Sequence, residues 1–161
     1  MSCKKIIAAV MTMAILTVAA GCGGKAPASD TKKVLDPIKT ADAMLAVLAP
    51  QGEMLAVEDS VLDNYYTVDK DIVGGQKIYI STSFIAEEIA VFAVKDGKTE
   101  DAKKMCEARL KDLKDSFDGY LPEELASLEA NAKILTNGNL VCLLAGKGDG
   151  LAAAEKVFTE S

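Results

Sequence analysis

Two pairs of adjacent carboxylates, Glu87-Glu88 and Glu123-Glu124, and two cysteines, Cys106 and Cys142, are the side chains best suited to chemistry in the body of this 161-residue chain. Two carboxylates facing each other across a cleft can serve as general acid and base, or hold a hard cation. The spacing argues against either pair acting alone. Neighbours on a strand point to opposite faces, and Glu123-Glu124 follow Pro122 in the first turn of a predicted helix, where the macrodipole favours acids. The two pairs converge only if their loops meet. Cys106 falls on the apolar stripe of a predicted helix and Cys142 in a predicted strand, so both reach the core. Two alternatives follow: a disulfide, if the Cβ atoms come within about 4.5 Å, or two buried free thiols acting as small hydrophobes. The chain has no histidine, which removes the usual general base and the commonest zinc ligand. That counts against Ser-His and Cys-His hydrolases and leaves a carboxylate- or lysine-based enzyme open. "AGKGDG", Ala145 to Gly150, lacks the spacing of a phosphate-binding loop, and no metal or cofactor is expected.

A third cysteine sits in a different setting. Lys4 and Lys5 precede an apolar run from Ile6 to Ala20, and Ala19, Ala20 and Gly21 lead straight into Cys22. The run is short of the roughly 20 apolar residues that span a bilayer. A basic start, a short apolar region and a small-residue exit describe a secretory signal. The exit resembles the lipobox of bacterial lipoproteins, although leucine is commoner than Ala19 three places before the cysteine. On that resemblance the Cys22 thiol takes a diacylglyceryl group, residues 1–21 are removed, and acyl chains such as palmitate hold Cys22 on the extracytoplasmic face of the cell membrane. Two chains, at about 0.8 kcal/mol per buried CH₂, suffice for a stable anchor. Removing 1–21 leaves 16 of the 18 basic residues against 24 acids, a net charge of −8. Such a surface repels phosphate backbones, so nucleic acid is not an expected partner, and the folded part has no reason to lie on anionic lipid.

Residues 22–38 are rich in Gly, Pro, Ser and Lys without apolar periodicity, and read as a flexible tether to one α+β domain over 39–161. Thr40 is the expected N-cap of a first helix ending before Pro50. A short helix is expected over Asp59 to Tyr65, and Gly74-Gly75 read as a turn. "KIYIS" alternates, whereas "EIAVFAVK" is apolar on both faces and predicts a central, covered strand. The 3.6-residue period of "TEDAKKMCEARLKDLKDSF" gives a long amphipathic helix with Thr99 as its cap and Gly119 as its stop. A shorter helix starts at Pro122. "AKILTNGNLVCLLA" is a hairpin with Asn137-Gly138 as a type I′ turn, and Asp149 caps a last helix. Two hairpins interleaved with helices imply an antiparallel sheet with helices packed on it.

"AEEIAVFAVKDGK", "FDGYLPEE" and "GNLVCLL", in that order and separated by a charged helix, resemble the bacterial lipoproteins of domain of unknown function 4358, over roughly Asn64 to Phe158. The departure is Leu140, where the family pattern often has an aromatic. The resemblance implies a Gram-positive, clostridial setting and no established reaction. Within it, Tyr120, Leu121, Pro122, Glu123 and Glu124 form the stretch best suited to a partner surface, with an aromatic and a leucine as anchor and acids as rim. The competing reading is that Tyr120 and Leu121 pin the helix junction to the core. Two functions are open: a monomeric, non-catalytic lipoprotein that binds another envelope protein or a small ligand, and a carboxylate-dependent enzyme acting on wall components.

The location has a direct test. Cys22→Ser abolishes incorporation of a fatty-acid analogue in metabolic labelling, because serine cannot form the thioether. Labelling of the serine variant would refute the lipid site.

Overall fold

The strand with two apolar faces sets the architecture. A computed structural model describes residues 34–161; Cys22, the signal segment and most of the tether lie outside the described residues. In it Glu88–Val94 (β3) is the middle of a five-stranded antiparallel sheet. The other strands are Met54–Ala56 (β1), Val73–Ser81 (β2), Lys133–Asn137 (β4) and Leu140–Ala145 (β5), in the spatial order β1-β2-β3-β5-β4. The hairpins β2–β3 and β4–β5 join through β3 and β5, with Val91 opposite Cys142 and Phe92 opposite Val141. The fold is α+β, as the pattern of hairpins and helices implied.

Each face of β3 and β5 carries its own helical layer. Ile89, Val91, Leu140, Cys142 and Leu144 pack against Met44, Leu48, Ala154 and Phe158 of Pro37–Leu48 (α1) and Gly150–Thr159 (α4). Ala90, Phe92, Val94, Val141 and Leu143 pack against Ala102 and Cys106 of Thr99–Phe117 (α2), together with Leu62 and Tyr66. Leu62 belongs to a 3-10 helix over Asp59–Asn64. Pro122–Asn131 (α3) follows α2 and buries Leu128 with Ala86 and Ala145 at one end of the sheet. The close approach of α1 and α4 requires a glycine: a Cβ at Gly150 would lie 1.7 Å from the Leu48 carbonyl oxygen.

The structure departs from expectation at several element ends. Gly74-Gly75 lie inside β2, where the register shifts between Val73 and Gly75; the pair marks a bulge, not a turn. The three residues of β1 are too short to show a period, and they add an edge strand beside β2. The β4–β5 turn is Gly138-Asn139, one residue later than expected. Gly138 has φ +55° and Asn139 is not left-handed, so a type I′ turn, which needs positive φ at both positions, is ruled out. The caps also differ. Lys98 rather than Thr99 is the N-cap of α2, and Asp149 occupies the N-cap of α4 without a side-chain hydrogen bond.

The largest difference is at the entry to the domain. Asp36, not Thr40, caps α1, its carboxylate accepting from the N–H groups of Ile38 and Lys39, while Thr40 is buried in the helix. Leu35 is in the core at 7% exposure. Its N–H donates to Asn139 Oδ1 at 2.7 Å, and its carbonyl accepts from Asn139 Nδ2 at 3.1 Å. The ordered fold thus takes in Leu35 to Ile38, ahead of the expected start at Lys39. Removing those residues forfeits a cap, about 1 kcal/mol, and a buried leucine, about 2–3 kcal/mol. A chain starting at Lys39 should melt about 10 °C below one starting at Val34. Equal melting temperatures would show that the segment contributes nothing.

Candidate functional site

Three consecutive residues ahead of and within β3 each reach a different element. Ala86 N–H donates to Glu124 Oε2 on α3 at 2.9 Å. Glu87, 3% exposed, accepts from the N–H groups of Gln51 and Gly52 at 3.0–3.3 Å, fixing the chain after α1. There Ala49 stands at φ +50°, the single positive-φ residue other than glycine among the described residues. Glu88 points to the opposite face, as alternation along a strand demands. It is 1% exposed and accepts from Tyr66 Oη at 2.5 Å and from Arg109 Nε and Nη2 at 3.1 and 2.7 Å.

Arg109 is the sole arginine of the chain. It lies one turn after Cys106 on α2, at the rim of the apolar stripe, and its planar fork grips the carboxylate at two points where a lysine would offer one. The guanidinium also lies over the rings of Tyr65 and Tyr66, 5.3 and 5.8 Å from their centroids. Burial opposes the charge on Arg109, but the Glu88 carboxylate outweighs it and raises its pKa. Burial, followed by the charge of Glu88, pushes the Tyr66 hydroxyl well above its usual range, so it remains a donor.

The two loops therefore do meet, through Glu124 and the Ala86 N–H, but the carboxylates do not converge, since Glu87 and Glu88 are held by other segments. Glu124 also pairs with Lys147 from the β5–α4 connection. Partial burial works against its charge; the Ala86 N–H and the Lys147 ammonium more than offset this and hold its pKa below the ordinary value. The clip is thus fully formed above the usual carboxylate range and is lost as pH falls through that lowered pKa. Glu123 is exposed and bonds to nothing described. Of the four carboxylates, three are engaged in holding main chain or a buried cation.

The Ala86–Glu124 bond brings two connections together, and each presents an aromatic. Phe84 on the β2–β3 connection is 75% exposed and Tyr120 at the α2–α3 junction 66%. Their ring centroids are 6.1 Å apart at an interplanar angle of 69°, an edge-to-face pair. Tyr120 does not pin the junction to the core, whereas the neighbouring Leu121 is half-buried. Pro122 opens α3 and Glu123-Glu124 occupy its first turn. Phe84 and Arg109 escaped the sequence reading. An aromatic standing alone in the polar run "STSF" and a single arginine among lysines were the available signals.

Cys106 and Cys142 are free and buried. They belong to opposite faces of the sheet, Cys142 facing α1 and α4 and Cys106 facing β3 from α2, so a disulfide would have to pass through the sheet. Burial pushes the Cys106 thiol up to about 12 and the Cys142 thiol up as well, which makes them inert small hydrophobes. Among the described residues no group of three or more acids and cysteines is arranged to hold a metal ion, and no helix is long and apolar enough to cross a membrane.

Residues 48–146 match the family described as a domain of unknown function, DUF4358, and the chain belongs to that family. No curated protein and no solved structure matches it. The matched span starts at the end of α1 and closes just after β5, and so contains the whole Ala86–Glu88 junction and its partners.

Breaking a buried ion pair leaves an uncompensated charge, at a cost of about 3–5 kcal/mol. Glu88→Ala and Arg109→Ala should each destabilise by that amount, and the double variant by clearly less than both losses together. Urea denaturation of the three variants reads this. Additive losses below 1 kcal/mol each would mean that the pair is energetically a surface pair.

Proposed function

We propose that this protein is a non-catalytic binding module, held on the extracytoplasmic face of the membrane by a lipid on Cys22, and that the Phe84–Tyr120 pair is its docking surface for another envelope protein. The observation that carries the reading is the exposed aromatic pair itself. Two large rings, drawn from separate connections, are held face to edge in solvent by a clipped backbone. Rigid aromatics offer contact area at low entropic cost, and a docking surface favours such anchors.

The position of the pair supports the reading. The chain enters the domain at Leu35, bound to Asn139 in the β4–β5 turn, whereas the pair lies at the other end of the sheet, where Glu88 stands opposite Ala145. A six-residue strand such as β5 separates the two ends by about 20 Å. The rings therefore lie at the end of the sheet opposite the one where the chain enters the domain. A carboxylate-dependent enzyme finds less support, because Glu87, Glu88 and Glu124 are occupied in hydrogen bonds that hold the backbone.

Capture of envelope proteins from solubilised membranes by the lipidated chain tests this. The Phe84→Ala/Tyr120→Ala variant should lose specifically captured partners while its melting temperature stays within about 2 °C, as for surface substitutions. Undiminished capture would refute the surface. A loss of several kcal/mol in stability would make the rings structural.

A further inference from the structure

The rings of Phe84 and Tyr120 carry negative potential on their faces, and their surroundings add to it. Asp118 lies two residues before Tyr120 and Glu123 three after; both are exposed, and neither pairs with a described cation. Lys147, which the β5–α4 connection brings to this junction, is neutralised by Glu124. Elsewhere the fold matches aromatic faces with cations: Arg109 over Tyr65 and Tyr66, and Lys77 over Tyr79 at 4.9 Å. Among the described residues no lysine or arginine lies over Phe84 or Tyr120. The patch combines two exposed rings with two carboxylates that pair with no described cation.

We infer that the Phe84–Tyr120 surface recognises a basic segment of a partner protein, in which an arginine or lysine stacks on the rings and meets Asp118 and Glu123. This rests on the docking reading above and specifies its chemistry. A cation over an aromatic face is attracted by the ring quadrupole, and the guanidinium adds planar stacking and donors for the flanking carboxylates. The net acidic charge of the chain steers a basic partner towards the domain, and the rings and the two acids fix where it docks. An acidic or uncharged segment would gain only the apolar contact.

The test uses the full chain in detergent micelles, labelled with 3-fluorotyrosine. The chain has 4 tyrosines, so Tyr120 is assigned by the resonance lost in Tyr120→Phe. Three capped peptides of equal length are titrated: Arg-Gly-Arg, its norleucine counterpart and its glutamate counterpart. The Tyr120 resonance should move saturably with the arginine peptide and not with the other two. Phe84→Ala should weaken that binding about two- to fivefold, the range of an exposed cation–π contact. Asp118→Asn/Glu123→Gln, both at exposed positions, should weaken it further, and 0.5 M salt should do the same. No response of Tyr120 to the arginine peptide would overturn the inference. An equal response to the norleucine peptide would also overturn it, by showing an apolar contact without charge preference, and would leave the docking surface itself standing.

Discussion

A buried carboxylate at the start of the central strand constrains everything around it. Glu88 sits where β3 leaves the end of the sheet, almost wholly removed from water, and a charge there costs several kcal/mol unless it is fully compensated. Compensation comes from two directions. Arg109 must come down from α2, and Tyr66 must be turned inward by the irregular chain between the 3-10 helix and β2. The height of α2 over the sheet and the path of residues 65–72 are therefore set by one side chain. Tyr66 then meets Phe92 edge to face at 5.0 Å between ring centroids, carrying the constraint into the apolar core.

The two residues before Glu88 extend the same logic outward. Glu87 turns to the opposite face and holds the backbone after α1, while the Ala86 N–H ends on Glu124 of α3. Three successive residues thus tie four separate segments to one end of the sheet. A motif that reads as an acidic cluster works as a junction. Exposed at that junction are an aromatic pair and two acids that pair with no described cation. On the proposed reading the pair binds well because it is already in place, so little ordering is needed when a partner arrives.

Much of the fold was legible because its signals are periodic. The two-faced apolar run of β3 and the 3.6-residue stripe of α2 each predict both an element and its environment. What escaped was short or depended on distant partners. The three residues of β1 carry no period, and Gly74-Gly75 suit a bulge as well as a turn. Asp36 was hidden in a stretch whose composition reads as linker, and its role became visible only through Leu35 and the distant Asn139. For the candidate site, the sequence singled out Tyr120 and the four glutamates. It could not show that Glu124 reaches Ala86, since that contact spans 38 residues, nor that Phe84 would meet Tyr120 as a result. The cysteines failed as a pair for a comparable reason: both are apolar-facing, but they face opposite layers.

Carboxylates hold this end of the molecule rigid and thereby present the rings. Native-state amide hydrogen exchange reads it most directly, because the amides of Gln51, Gly52 and Ala86 lie outside regular elements and are held by glutamate side chains. These three should exchange far more slowly than free loop amides, approaching the rates of the β3 and β5 ladders. Exchange at unprotected loop rates would contradict it.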